Sequence, residues 1–120
     1  MATVLIVDDE KCVRDVYSRL LTKTGHAVLT VDDGNQALDT LALTSIDVVI
    51  LDYSMPELSG LDCLREMKLR GYSEIPVLFV KPFDKAGREI VEGLGIYCFI
   101  DKVSDMGNLD RLVRQAAKEY

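Results

Sequence analysis

Apolar positions along this 120-residue chain fall into two alternating textures. Short, nearly unbroken apolar runs occur at Val4-Leu5-Ile6-Val7, Ala27-Val28-Leu29-Thr30-Val31, Val48-Val49-Ile50-Leu51, Val77-Leu78-Phe79-Val80 and Ile96-Tyr97-Cys98-Phe99-Ile100. Their β-branched content and the lack of alternation in most of them predict strands of a parallel sheet buried on both faces. Between the runs, apolar residues recur at three- and four-residue spacing, as on a helix with one face turned to a core. Cys12/Val13, Val16/Tyr17 and Leu20/Leu21 predict a first helix that stops at Gly25, where a left-handed cap suits glycine. Ala37/Leu38 and Leu41/Ala42 predict a second, shorter helix with Asp33 as its N-cap. Leu61, Leu64 and Met67 place a third that ends near Gly71. Ala86, Ile90/Val91 and Leu94 place a fourth, and Leu109, Leu112/Val113 and Ala116/Ala117 a fifth.

Strand and helix alternating five times with short connections make an α/β fold, a doubly wound five-stranded parallel sheet with five helices on its two faces. No repeat, linker or low-complexity tract interrupts it, so a single domain over residues 1–120 is expected. Such sheets place their sites beyond the carboxyl ends of the strands, near the point where strand order reverses.

Composition narrows the partners. With 14 Lys+Arg against 20 Asp+Glu the net charge is −6, and no basic run exists, so phosphate backbones and anionic membrane surfaces would repel the chain. Nucleic acid and membrane are therefore not expected as partners. Cys12, Cys63 and Cys98 are odd in number and lack C-x-x-C spacing, which fits a reduced compartment. The N-terminus has no basic n-region and too short an apolar run for a signal peptide, and no stretch approaches ~20 apolar residues. The expected location is the cytoplasm.

The chemistry lies at the strand ends. The first strand runs into Asp8-Asp9-Glu10 and the third into Asp52, both on the carboxyl edge of the sheet. Each aspartate alone is readable as a helix N-cap. If the two strands are neighbours, Asp8, Asp9 and Asp52 converge, and three carboxylates that close repel unless some are protonated or a cation joins them. Mg²⁺, an oxygen-seeking ion that keeps several waters, answers that need. Lys102, just beyond the fifth strand, is either a solvated loop lysine or a cation that favours the charged carboxylates and holds a phosphoryl group.

Asp8-Asp9, the run Asp52-Tyr53-Ser54-Met55-Pro56-Glu57-Leu58-Ser59-Gly60, and Lys102 together resemble a bacterial two-component response-regulator receiver domain over essentially the whole chain. The resemblance implies the receiver-like, flavodoxin-like strand order 2-1-3-4-5. It implies that Asp52 is the phosphoacceptor for a sensor histidine kinase or phosphotransfer protein. It further implies that Asp9 and Asp52 ligate Mg²⁺ directly, that Asp8 acts mainly through water, that the backbone carbonyl of Ser54 is another ligand, and that Lys102 pairs with phosphoryl oxygens. Signalling would pass through the face formed by helix four, strand five and helix five, with Phe99 as the aromatic switch; a plain core role for Phe99 fits the sequence equally.

Two departures from the family pattern stand out. Where receivers carry a Thr or Ser after the fourth strand, this chain reads Val80-Lys81-Pro82-Phe83, and no Ser or Thr occurs from Glu74 to Val103. Lys81 either reaches the acidic pocket and holds a phosphoryl group or points to solvent. After Lys102 the family's cis-proline is replaced by Val103, for which a trans bond and a reshaped loop are expected, a non-proline cis bond costing ~2.5–4 kcal/mol. The alternative to a phosphoacceptor is thus a phosphorylation-independent interaction module. Tyr120 directly follows the last amphipathic turn, so the sequence leaves open an effector domain in a longer chain and a dimer through the helix-four to helix-five face.

Overall fold

A computed structural model describes residues 1–119; Tyr120 lies outside the described residues. The chain runs β1 (Thr3–Val7), α1 (Lys11–Lys23), β2 (Ala27–Val31), α2 (Gly34–Leu43), β3 (Val48–Leu51), α3 (Gly60–Leu69), β4 (Val77–Val80), α4 (Lys85–Leu94), β5 (Cys98–Ile100), a 3-10 turn at Met106–Asn108, and α5 (Leu109–Glu119). All strand pairs are parallel, in the order β2-β1-β3-β4-β5. Strand order reverses at β1, whose two neighbours are β2 and β3, and this opens a crevice at the carboxyl edge.

Alternate residues of the inner strands point into two separate cores. Leu5, Val7, Val49, Leu51, Val77 and Phe79 pack on the side covered by α2, α3 and α4; Val4, Ile6, Val48, Ile50 and Leu78 pack on the side covered by α1 and α5. Burial on both faces is why these strands read as continuous apolar runs. β2 departs from that expectation: its residues are exposed or half-buried, with Leu29 38% exposed. As an edge strand it has a ladder partner on one side only. β5, the other edge, is shorter than its apolar run, beginning at Cys98; one ladder bond continues upstream, from the Tyr97 N–H to the Val77 carbonyl at 2.9 Å.

Local signals act where the chemistry requires them. The Asp33 side chain accepts the Gln36 N–H at 2.9 Å and caps α2, while Gly25 and Gly71 adopt φ of +99° and +89° just past α1 and α3. The apolar stripes of α1 and α4 are only partly inside: Cys12 and Ala86 are exposed, and Ile90 is 44% exposed. At the amino edge of the sheet the buried His26 accepts the Ala2 N–H at 3.0 Å and meets Asp110 at 2.7 Å, which ties β1, β2 and α5 together. No cis peptide bond occurs among the described residues.

Candidate functional site

Ladder bonds carry the two key carboxylates past the strand ends. The Asp8 N–H donates to the Val31 carbonyl at 3.2 Å, and the Asp52 N–H to the Val7 carbonyl at 2.9 Å. The backbone on either side of the crevice is thereby fixed, and Asp8 and Asp52 are 3% and 5% exposed. Ligand oxygens of Asp8, Asp9 and Glu10 lie within 4.8 Å of one another. Asp52 is joined to this cluster through Lys102, whose Nζ lies 2.6 Å from Glu10 Oε1, 3.2 Å from Asp8 Oδ2 and 3.3 Å from Asp52 Oδ2. Three carboxylates thus meet one ammonium, with Asp9 as a fourth beside them.

That imbalance shows in the titration of the groups. Burial first, and then the Asp8 charge, push the Asp52 carboxyl up to about 6 against the pull of Lys102. Burial likewise raises Asp8, opposed by the Glu10 N–H and by Lys102. For Lys102 burial works downward, but the Glu10 hydrogen bond and the Asp52 and Asp8 charges outweigh it and leave the ammonium raised. The donor set is all oxygen, is crowded, and is undercompensated by its one internal cation. Asp8, Asp9 and Glu10 are therefore positioned to coordinate Mg²⁺.

The loop after β3 is shaped by one close approach. The Gly60 N–H donates to the Tyr53 carbonyl at 2.9 Å, and a Cβ at Gly60 would lie 1.9 Å from the Asp52 carbonyl oxygen, so only glycine fits. Glu57 takes φ +66° within the same turn, and Ser54 is exposed two residues beyond Asp52. The loop after β5 is a hydrogen-bonded turn: Asp101 Oδ1 accepts from Val103 and Ser104 at 3.0 and 2.9 Å, and the Asp101 N–H donates to Asp105 at 2.7 Å. These backbone donors hold the Asp101 carboxyl below its ordinary value.

α1 grips both loops. The Arg14 guanidinium donates to the Asp8 carbonyl at 2.7 Å, and the Tyr17 hydroxyl to the Lys102 carbonyl at 2.7 Å. Burial, followed by the Asp8 charge, pushes the Tyr17 phenol up to about 12, so it stays a donor. Of the residues singled out from sequence, Asp8, Asp9, Asp52 and Lys102 are brought together. Lys81 is exposed just past β4 and makes no ion pair with the cluster. Phe99 is half-buried and meets Phe79 edge-on at 6.4 Å, and Phe79 meets Tyr53 in the same way at 6.1 Å. Glu10 and Tyr17 are the contributors that sequence reasoning did not assign to the site.

A family model described as the response regulator receiver domain matches residues 4–114. Among curated proteins, the response regulator MprA of Mycolicibacterium vanbaalenii is 34% identical over 87 residues, 72% of this chain and 37% of that protein. The chain thus spans little more than a third of the length of that relative. A response regulator receiver protein from Pseudomonas putida superposes with a TM-score of 0.90 at 28% identity, covering 95% of this chain and 96% of that one. The chemotaxis protein CheY4 of Vibrio cholerae superposes with a TM-score of 0.88 at 25% identity, covering 97% and 98%.

Proposed function

This chain belongs to the response-regulator receiver domain family, phosphoaccepting signalling modules of the phosphorelay rather than enzymes in the usual sense, and on that premise we propose that its phosphoacceptor is Asp52. The donor is a phosphohistidine on a sensor histidine kinase or a phosphotransfer protein in the cytoplasm. An Asp52 carboxylate oxygen forms the new O–P bond, the P–N bond to the donor imidazole breaks, and that nitrogen keeps the electron pair. One observation carries the choice of Asp52. It is a buried carboxylate at the crevice with Lys102 as its side-chain partner, whereas Asp8 already has an oxygen engaged by the Glu10 N–H at 2.8 Å.

Bound at this edge, Mg²⁺ supplies neutralisation of the phosphoryl oxygens. Asp9 and Asp52 are proposed as direct ligands, Asp8 as one that acts mainly through water, and the Ser54 carbonyl as a further ligand. Lys102 stabilises the charge that builds on the transferring group, and its pairing with Asp52 places it there before the donor arrives. Output passes through α4, β5 and α5, with Phe99 reporting on the site, to an attached effector domain or to a second copy of the chain. No helix among the described residues is long and apolar enough to cross a membrane.

The test is direct. The purified domain with Mg²⁺ and phosphoramidate should gain the mass of one phosphoryl group, and the Asp52→Asn variant should not; a wild-type protein that stays unmodified overturns the assignment. A second reading, a phosphorylation-independent interaction module, is favoured by one feature: β4 is followed by the exposed Lys81 and then Pro82, neither of which offers a hydroxyl. Beryllium fluoride with Mg²⁺ separates the two, since amide shifts spreading over α4 and β5 belong only to a responsive domain.

A further inference from the structure

Lys102 touches three carboxylates at once, yet nothing in the acidic cluster fixes the backbone from which it projects. A four-carbon side chain on a free loop would sample many positions, and a charge displaced by about 1 Å loses much of its effect on a transferring group. Two features restrain the loop. The Asp101 turn uses the Val103 N–H, a donor that a proline at that position could not provide. The other restraint comes from far away in sequence: the Tyr17 hydroxyl, 85 residues upstream, donates to the Lys102 carbonyl at 2.7 Å.

Tyr17 is well suited to fix a position. Its ring is 1% exposed and packed in the core with Leu21, Ile50 and Val113, so the hydroxyl cannot swing without repacking that core. The helix that carries it also carries Arg14, which holds the Asp8 carbonyl at 2.7 Å. One rigid element thereby references both the end of β1 and the loop after β5. We propose that Tyr17 is a positioning residue of the phosphoryl-transfer site, its hydroxyl setting the place at which the Lys102 ammonium meets Asp52. The inference rests on the roles given to Asp52 and Lys102 under the proposed function.

A double-mutant cycle decides it, with phosphorylation of Asp52 by phosphoramidate measured in wild type, Tyr17→Phe, Lys102→Ala and the double variant. Tyr17→Phe should slow the reaction roughly threefold to tenfold when Lys102 is present and have no effect in the Lys102→Ala background, because a residue acting through another is silent without it. An unchanged rate in Tyr17→Phe, or the same loss in both backgrounds, overturns the inference, the second outcome marking a purely structural role. The side-chain NMR resonances of Lys102 give a readout that needs no phosphoryl transfer: they should move in Tyr17→Phe, and unmoved resonances also refute the proposal. If wild type takes no phosphoryl group, the assignment of Asp52 fails, and the Lys102 resonances still decide the role of Tyr17.

Discussion

At the scale of single residues, the site is a store of unfavourable electrostatics. Asp52 is almost fully buried beside Asp8, and its carboxyl titrates at about 6 rather than near 3.8. A carboxyl raised in the folded state holds its proton longer than it does in the unfolded chain, so stability falls as pH rises from about 4 to about 6 and then levels off. Asp52→Asn removes this dependence. The metal-free variant should match wild type near pH 4 and exceed it at pH 7 by on the order of 2–3 kcal/mol, as read by urea denaturation at each pH. A constant difference across that range would show that burial and Asp8 do not raise Asp52. Asp8, Asp9, Asp52 and Lys102 were legible in the sequence because each follows a strand, where side chains of an α/β sheet converge. Tyr17 was not, because three- and four-residue spacing registers its ring as one more core position and carries no information on where its hydroxyl points. Glu10 was missed for a related reason: its backbone belongs to the turn into α1, and only the three-dimensional path of the Lys102 side chain brings the two within 2.6 Å.

At the scale of elements, the loop from Asp52 to Gly60 shows how a short motif encodes geometry. Its glycine is dictated by a backbone approach that leaves no room for a Cβ, and Gly60→Ala should cost roughly 2–3 kcal/mol and displace the Asp52 carbonyl. Glu57→Gly, in the same loop, relieves a positive φ and should be neutral or stabilising by up to ~1 kcal/mol. Chemical denaturation of both variants checks the pair; equal effects would mean that the loop tolerates its backbone shape generally rather than at one point. Most elements were legible from apolar periodicity, and β1 to β4 span the same apolar runs or one residue more. The exceptions are at the edges. β2 was expected to be buried on both faces, and β5 stops short of Ile96 and Tyr97, because an apolar run records what a residue is and not how many neighbours the sheet supplies it.

For the whole molecule, four carboxylates against one internal cation make the crevice a local concentration of the chain's negative charge. Mg²⁺ should therefore bind the folded protein and not the unfolded chain. At tenfold excess over its dissociation constant it should stabilise by about 1.4 kcal/mol, an upward shift in thermal midpoint of roughly 5 °C that chelation reverses. Asp9→Asn should reduce that shift while leaving the metal-free midpoint nearly unchanged, since Asp9 is exposed. A midpoint indifferent to Mg²⁺ in wild type would remove the metal from the account.

The contacts that complete the crevice span very long stretches of chain: 50 residues between Asp52 and Lys102, 85 between Tyr17 and Lys102, and 92 between Glu10 and Lys102. Each of these contacts closes on the loop after β5, so none can form in its native place until β5 has paired with β4. A chain stalled with β5 unpaired already contains every acidic residue of the site but lacks the lysine that completes it. The completed site therefore depends on the pairing of the edge strand β5, the three-residue strand that carries Lys102 to the carboxylates.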